Sequence, residues 1–130
     1  MELHGKNLLD PSSNSGATTF RAFAPALGTY LEPAFEEATI AQVDQALVQA
    51  QSAFLEYQRL GPDVVAAFLE EIGAQLISLG DTLIVRAHEE SALPKERLIG
   101  ERGRTVTQLK MFADLLSEGS WVEASIDRAL

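Results

Sequence analysis

Four backbone breakers set the frame of this chain. Gly61-Pro62, Gly80, Pro94 and Gly119 interrupt a stretch whose apolar residues otherwise recur every three to four positions. Proline suits only the first turn of a helix, and glycine takes the left-handed conformation that closes one. Thr39 and Gln42 have the form of a capping box, in which a hydroxyl and an amide side chain each satisfy one orphan backbone donor. Val43, Ala46, Leu47, Ala50, Phe54 and Tyr57 then mark one face of a first helix over 39–58. Val65, Phe68, Leu69, Ile72 and Leu76 mark a second over 63–79. Asp81 is placed to cap a third over 82–91. Pro94 opens a fourth over 95–117, with Gly119 as its stop.

Ahead of Thr39 the pattern is different. FRAFAPALGTYLEPAFE (20–36) places Phe20 and Phe23 before a Pro25–Gly28 turn, with Thr29, Tyr30 and Leu31 after it. Aromatic and β-branched residues on both sides of a turn predict a β-hairpin over 18–36. Residues 1–17, ending in DPSSNSGA, read as a loose segment in which Leu3, Leu8 and Leu9 could form a short strand. The expected organisation is therefore this loose segment, a hairpin over 18–36, a helical bundle segment over 37–119 and a tail over 120–130. The fold class is mainly α with a β-hairpin. Phe54, Phe68, Leu69, Ile72, Leu76, Leu109 and Phe112 are the expected core. The apolar faces are broad for so small a bundle, and such faces call for a covering domain or subunit.

Charge and composition narrow the function. The 130 residues carry 10 Lys+Arg against 19 Asp+Glu, a formal charge of −9. That balance repels phosphate backbones and anionic lipid, so neither nucleic acid nor a membrane is an expected partner. The Cys count is 0, which removes disulfides, thiolate metal sites and thiol nucleophiles. No apolar run follows Glu2-Leu3-His4 or reaches the length of a membrane span, so a cytoplasmic location is expected.

Familiar chemical motifs do not fit. Gly100-Glu101-Arg102-Gly103 has the GXXG form of a nucleic-acid clamp, but Glu101 and the net charge oppose it. GERGRT lacks the Lys-Ser/Thr pair of a P-loop, and neither GxGxxG nor GxSxG occurs. His4 and His88 are far apart and without metal-ligand spacing, so no metal site is expected. His88, Glu89 and Glu90 read as a solvated helix face, and the adjacent pairs Glu36-Glu37 and Glu70-Glu71 as surface charge, since neighbouring side chains diverge.

The stretch ERLIGERGRTVTQL (96–109) remains, with two glycines inside a helical pattern at about 1 kcal/mol each relative to alanine. GERGRTVTQLKMFA and SALPKERL, in order after FRAFAPALGTYLEPAFEEAT and VDQALVQAQSAF, resemble the N-terminal part of the aldehyde dehydrogenase superfamily. The bacterial α-ketoglutaric semialdehyde and fatty-aldehyde dehydrogenases are the most similar subgroup. The likeness runs over nearly the whole chain from Phe20. Two departures stand out. The family's Asn-Pro-Ala-Thr-Gly turn is Ala24-Pro25-Ala26-Leu27-Gly28 here, and its Glu-Ser/Thr-Gly-Leu-Pro is Glu90-Ser91-Ala92-Leu93-Pro94.

The resemblance implies oxidation of an aldehyde to its acid with NAD or NADP in a complete, oligomeric enzyme. It also implies that the catalytic cysteine, the general-base glutamate, the oxyanion-hole asparagine and the Rossmann segment lie outside these residues. No catalytic, cofactor-binding or metal-binding residue is therefore assigned, and the 130 residues alone are expected to be inactive. In these enzymes the helix matching 95–117 lies beside the substrate entrance. Arg104 and Gln108, one turn apart, are the expected channel residues; Arg102 points about 200° away. The competing expectation pairs Arg97, Arg102 and Arg104 with Glu96, Glu101 and Asp114 on the surface. A stand-alone helical interaction module derived from the family is the alternative function.

The stripe on the second helix yields a first prediction. Leu76→Ala should lower stability by about 2–5 kcal/mol in a urea titration. A change within about half a kcal/mol would place Leu76 outside the core.

Overall fold

A computed structural model describes residues 3–8 and 18–123. β1 (Thr19–Ala24) and β2 (Thr29–Glu36) are followed by α1 (Ile40–Tyr57), α2 (Pro62–Ser78), α3 (Gly80–Ser91), α4 (Lys95–Glu118) and a 3-10 turn at Ser120–Val122. The mainly helical fold with a hairpin is as the sequence predicts, with helix ends within two residues. The chain divides into two units. One holds the hairpin, α1 and nearly all of α3; the other holds α2, α4 and the 3-10 turn.

In the first unit, β1 and β2 pair antiparallel, with Phe20 opposite Phe35 and Phe23 opposite Tyr30. Phe20 stacks on Phe35 at 5.7 Å between ring centroids, and Phe23 meets Tyr30 edge-on at 5.3 Å. Cross-strand aromatic pairs of this kind stabilise a hairpin by roughly 0.2–1 kcal/mol each. An irregularity in the ladder falls between Arg21 and Phe23. At the turn, the Ala24 carbonyl accepts from the amides of Leu27 (3.1 Å) and Gly28 (2.8 Å), with Gly28 at φ +67°. The turn therefore forms with Ala24 where the resemblance implies Asn.

Residues 3–8 are not the short strand that Leu3 and Leu8 suggest. Gly5 sits at φ +65°, outside extended backbone, and its carbonyl accepts from the Glu36 amide at 2.8 Å. Asn7 Nδ2 donates to the Glu36 carbonyl at 3.3 Å. A Cβ on Gly5 would fall 2.0 Å from the Ala34 carbonyl oxygen, so only glycine fits. Leu9, the third residue of that expected strand, lies outside the described residues.

α1 opens with the expected capping box. The Gln42 amide donates to Thr39 Oγ1 at 3.2 Å and the Thr39 amide to Gln42 Oε1 at 2.8 Å. Gln42 is buried, unusual for a glutamine unless hydrogen-bonded. α3 meets β2 through Arg86. Its Nε lies 2.5 Å from Glu90 Oε1, its Nη1 donates to the Glu32 carbonyl, and its guanidinium carbon stands 5.9 Å over the Phe35 ring. Asp81 lies inside the first turn of α3 rather than capping it, where a carboxylate still favours the helix dipole. Ala92 follows the last turn, its amide donating to the His88 carbonyl at 2.8 Å, and stands at φ +57°. The resemblance implies a glycine at this position, which is filled here by a residue that meets a steric cost in the left-handed region.

In the second unit, α2 starts with Pro62 in the first turn behind Gly61, as the breakers predict. Gly73 of α2 faces α4: a Cβ there would stand 3.4 Å from Val106 Cγ1. α4 ends at Gly119, φ +78°, whose amide donates to the Leu115 carbonyl at 3.1 Å. Beyond it, Trp121 lines an open apolar pocket with Leu69, Phe112, Leu115 and Leu116.

The expected core is only partly realised. Leu69, Ile72, Leu76 and Leu109 are half-buried, while Phe54, Phe68 and Phe112 are exposed. The buried apolar side chains among the described residues are Ala24, Ala66, Ile84 and Ala113, and no large one is fully buried. The helical period aligned these residues on common faces, but period alone cannot say what lies opposite a face. A half-buried Leu76 brings the expected cost of truncation to the lower end of its range.

Two substitutions test the backbone account. Ala92→Gly should raise stability by about 1 kcal/mol in a denaturant titration, because it removes left-handed strain. Gly5→Ala should speed hydrogen exchange at the Glu36 amide by about tenfold or more, as the segment over 3–8 leaves β2.

Candidate functional site

α4 positions every residue that the sequence singles out for a functional role. Gln108 follows Arg104 by four residues, which puts both side chains on one row of the helix. Both are exposed. Arg104 Nη1 lies 3.1 Å from Glu101 Oε2 and 3.3 Å from Oε1, an i,i+3 ion pair with the arginine side chain 75% exposed. Thr105 Oγ1 donates to the Glu101 carbonyl at 3.0 Å, back-bonding to the turn before it.

The other arginines and acids sort differently from the expected surface pairing. Arg102 Nη1 donates to the Gly80 carbonyl at 2.8 Å, tying α4 to the first residue of α3 rather than meeting an acid. Asp114 accepts from Lys110 Nζ at 2.7 and 2.9 Å. This bond and the charge of Asp114 hold the Lys110 ammonium above the usual lysine range, with a smaller push from Glu70. A raised lysine stabilises the fold below its ordinary pKa and loses that contribution as pH climbs through the folded value. Gly100 and Gly103 are exposed, and a Cβ at either would meet nothing within 4 Å. Within this chain the close helix contact at a glycine is made by Gly73, which period and spacing did not mark.

His88 is not the solvated residue its acidic neighbours suggest. It is half-buried, and its Nδ1 lies 2.7 Å from the Leu93 carbonyl, tying the end of α3 to the segment before Pro94. Nδ1 of His4 accepts from the Lys6 amide at 3.1 Å. Among the described residues no three His, Cys, Asp or Glu side chains stand where they could hold a metal, and no helix is long and apolar enough to cross a membrane.

Chemically, the row offers one guanidinium and one amide to solvent. A planar fork of donors matches a carboxylate bidentately. Such a ligand would have to displace Glu101. An exposed ion pair is worth only about 0–1 kcal/mol, so the exchange is cheap.

Comparison with known proteins finds similarity along nearly the whole chain. It is 44% identical over 131 aligned positions to alpha-ketoglutaric semialdehyde dehydrogenase 2 of Azospirillum brasilense, covering 99% of this chain and 25% of that protein. The chain is similar to part of that enzyme. A second relative, the alpha-ketoglutaric semialdehyde dehydrogenase of Acinetobacter baylyi, is 46% identical over 96 residues, which are 74% of this chain and 18% of that enzyme. The chain thus spans about a quarter or less of the length of the curated relatives it matches. No family model matches it. The homology covers α4 and the hairpin alike, as the quoted motifs led one to expect.

The two arginines of GERGR should behave differently on truncation. Arg104→Ala should change stability by less than about 0.5 kcal/mol, since its ion pair is exposed. Arg102→Ala should cost about 1.5 kcal/mol through the loss of a charged donor to a part-buried carbonyl. Urea titrations of both variants make the check, and the opposite order would contradict the assignment.

Proposed function

We propose that these residues are the N-terminal part of an NAD(P)-dependent aldehyde dehydrogenase that oxidises a small carboxylated aldehyde such as α-ketoglutaric semialdehyde, and that they perform no oxidation alone. The observation that carries this reading is the homology of 99% of the chain to a quarter of a semialdehyde dehydrogenase. Composition supports the second half. Acyl transfer through a thiol needs a cysteine, and the chain has none.

The described residues do not fit a dinucleotide. A pyrophosphate cradle needs a parallel strand that feeds a helix through a glycine-rich turn. The strands described here form an antiparallel hairpin, and β2 leads into α1 through Glu37-Ala38-Thr39 without a glycine. NAD(P) would then be held by the remainder of the enzyme.

What this chain supplies in that setting is a wall of the aldehyde channel. Arg104 would leave Glu101 for the substrate's carboxylate, and Gln108 would add a neutral hydrogen-bonding group one turn on. The open faces of Val43, Leu47 and Phe54 on α1, and of Val64 and Phe68 on α2, would be covered by the catalytic and cofactor domains or by other subunits. Their exposure also supports self-association of the isolated chain, with a two-fold dimer the simplest closed arrangement. The net charge of −9 opposes pairing, but separated surface charges are screened beyond about 8 Å at physiological salt. A cytoplasmic location, without nucleic acid or membrane as a partner, completes the proposal.

Three measurements test it. The purified 130-residue chain should leave NAD and NADP unreduced in the presence of α-ketoglutaric semialdehyde; reduction would overturn the assignment of chemistry elsewhere. Sedimentation equilibrium should find a dimer at micromolar concentrations, and a strict monomer at high concentration would remove the association. Finally, let this chain replace the matching quarter of the Azospirillum brasilense enzyme. Arg104→Ala should then lower kcat/KM for the carboxylated aldehyde by about tenfold while sparing an uncharged aldehyde of similar length. Equal values for both forms of the hybrid would exclude the channel role.

A further inference from the structure

We draw no further inference here: the strongest candidate, the apolar groove along α1 lined by Leu8, Ala38, Val43, Ala46, Leu47 and Ala50, is an unpartnered face, and nothing in the structure shows what covers it.

Discussion

Arg86 ties α3 to the hairpin in the first unit. Its guanidinium reaches the Glu32 carbonyl of β2, stands over the Phe35 ring and meets the Glu90 carboxylate on its own helix. Phe35 in turn stacks on Phe20, so one side chain carries α3 to both strands. A charged donor on a carbonyl is worth about 1.5–3 kcal/mol, more than either aromatic pair in the hairpin. The arrangement has a cost. Arg86 Nη2 is buried without a hydrogen-bond partner, so part of the gain offsets the desolvation of that nitrogen.

The second unit is held by different means. Two contacts secure α4: Arg102 reaches the Gly80 carbonyl just past the end of α2, and Gly73 on α2 leaves room for Val106. Neither contact demands a large buried side chain. That agrees with a chain whose phenylalanines at 54, 68 and 112 remain accessible and whose deepest apolar residues, Ile84 apart, are alanines. Under the proposed function those open faces would meet the rest of an enzyme.

Local chemistry was legible in the sequence because it depends on neighbours a few residues away. The Thr39–Gln42 box, Pro62 in the first turn of α2, the turn before Gly28 and the stop at Gly119 all follow from backbone rules that operate within one or two turns. What escaped depends on distant partners. Gly5 is required by the Ala34 carbonyl, Gly73 by Val106, and Arg86 by Glu32, separated by 29, 33 and 54 positions respectively. Only Arg86 carried a local hint, an acid four residues on at Glu90. His88 departs from a solvated face for a related reason, since its acidic neighbours say nothing about the Leu93 carbonyl beyond the helix end. For the candidate site, the four-residue spacing of Arg104 and Gln108 puts both on one row of α4, and the Arg104–Glu101 ion pair matches the expected surface pairing.

The shallow burial of the apolar faces bears on how the isolated chain would melt. Unfolding raises the heat capacity in proportion to the apolar surface newly hydrated, and the same area sets the sensitivity to urea. Faces that already meet water in the native state contribute little to either quantity. Thermal unfolding of the 130 residues should therefore be broad and of low enthalpy for their length, with weakly curved stability against temperature. Covering those faces would sharpen the transition without adding a residue to the chain.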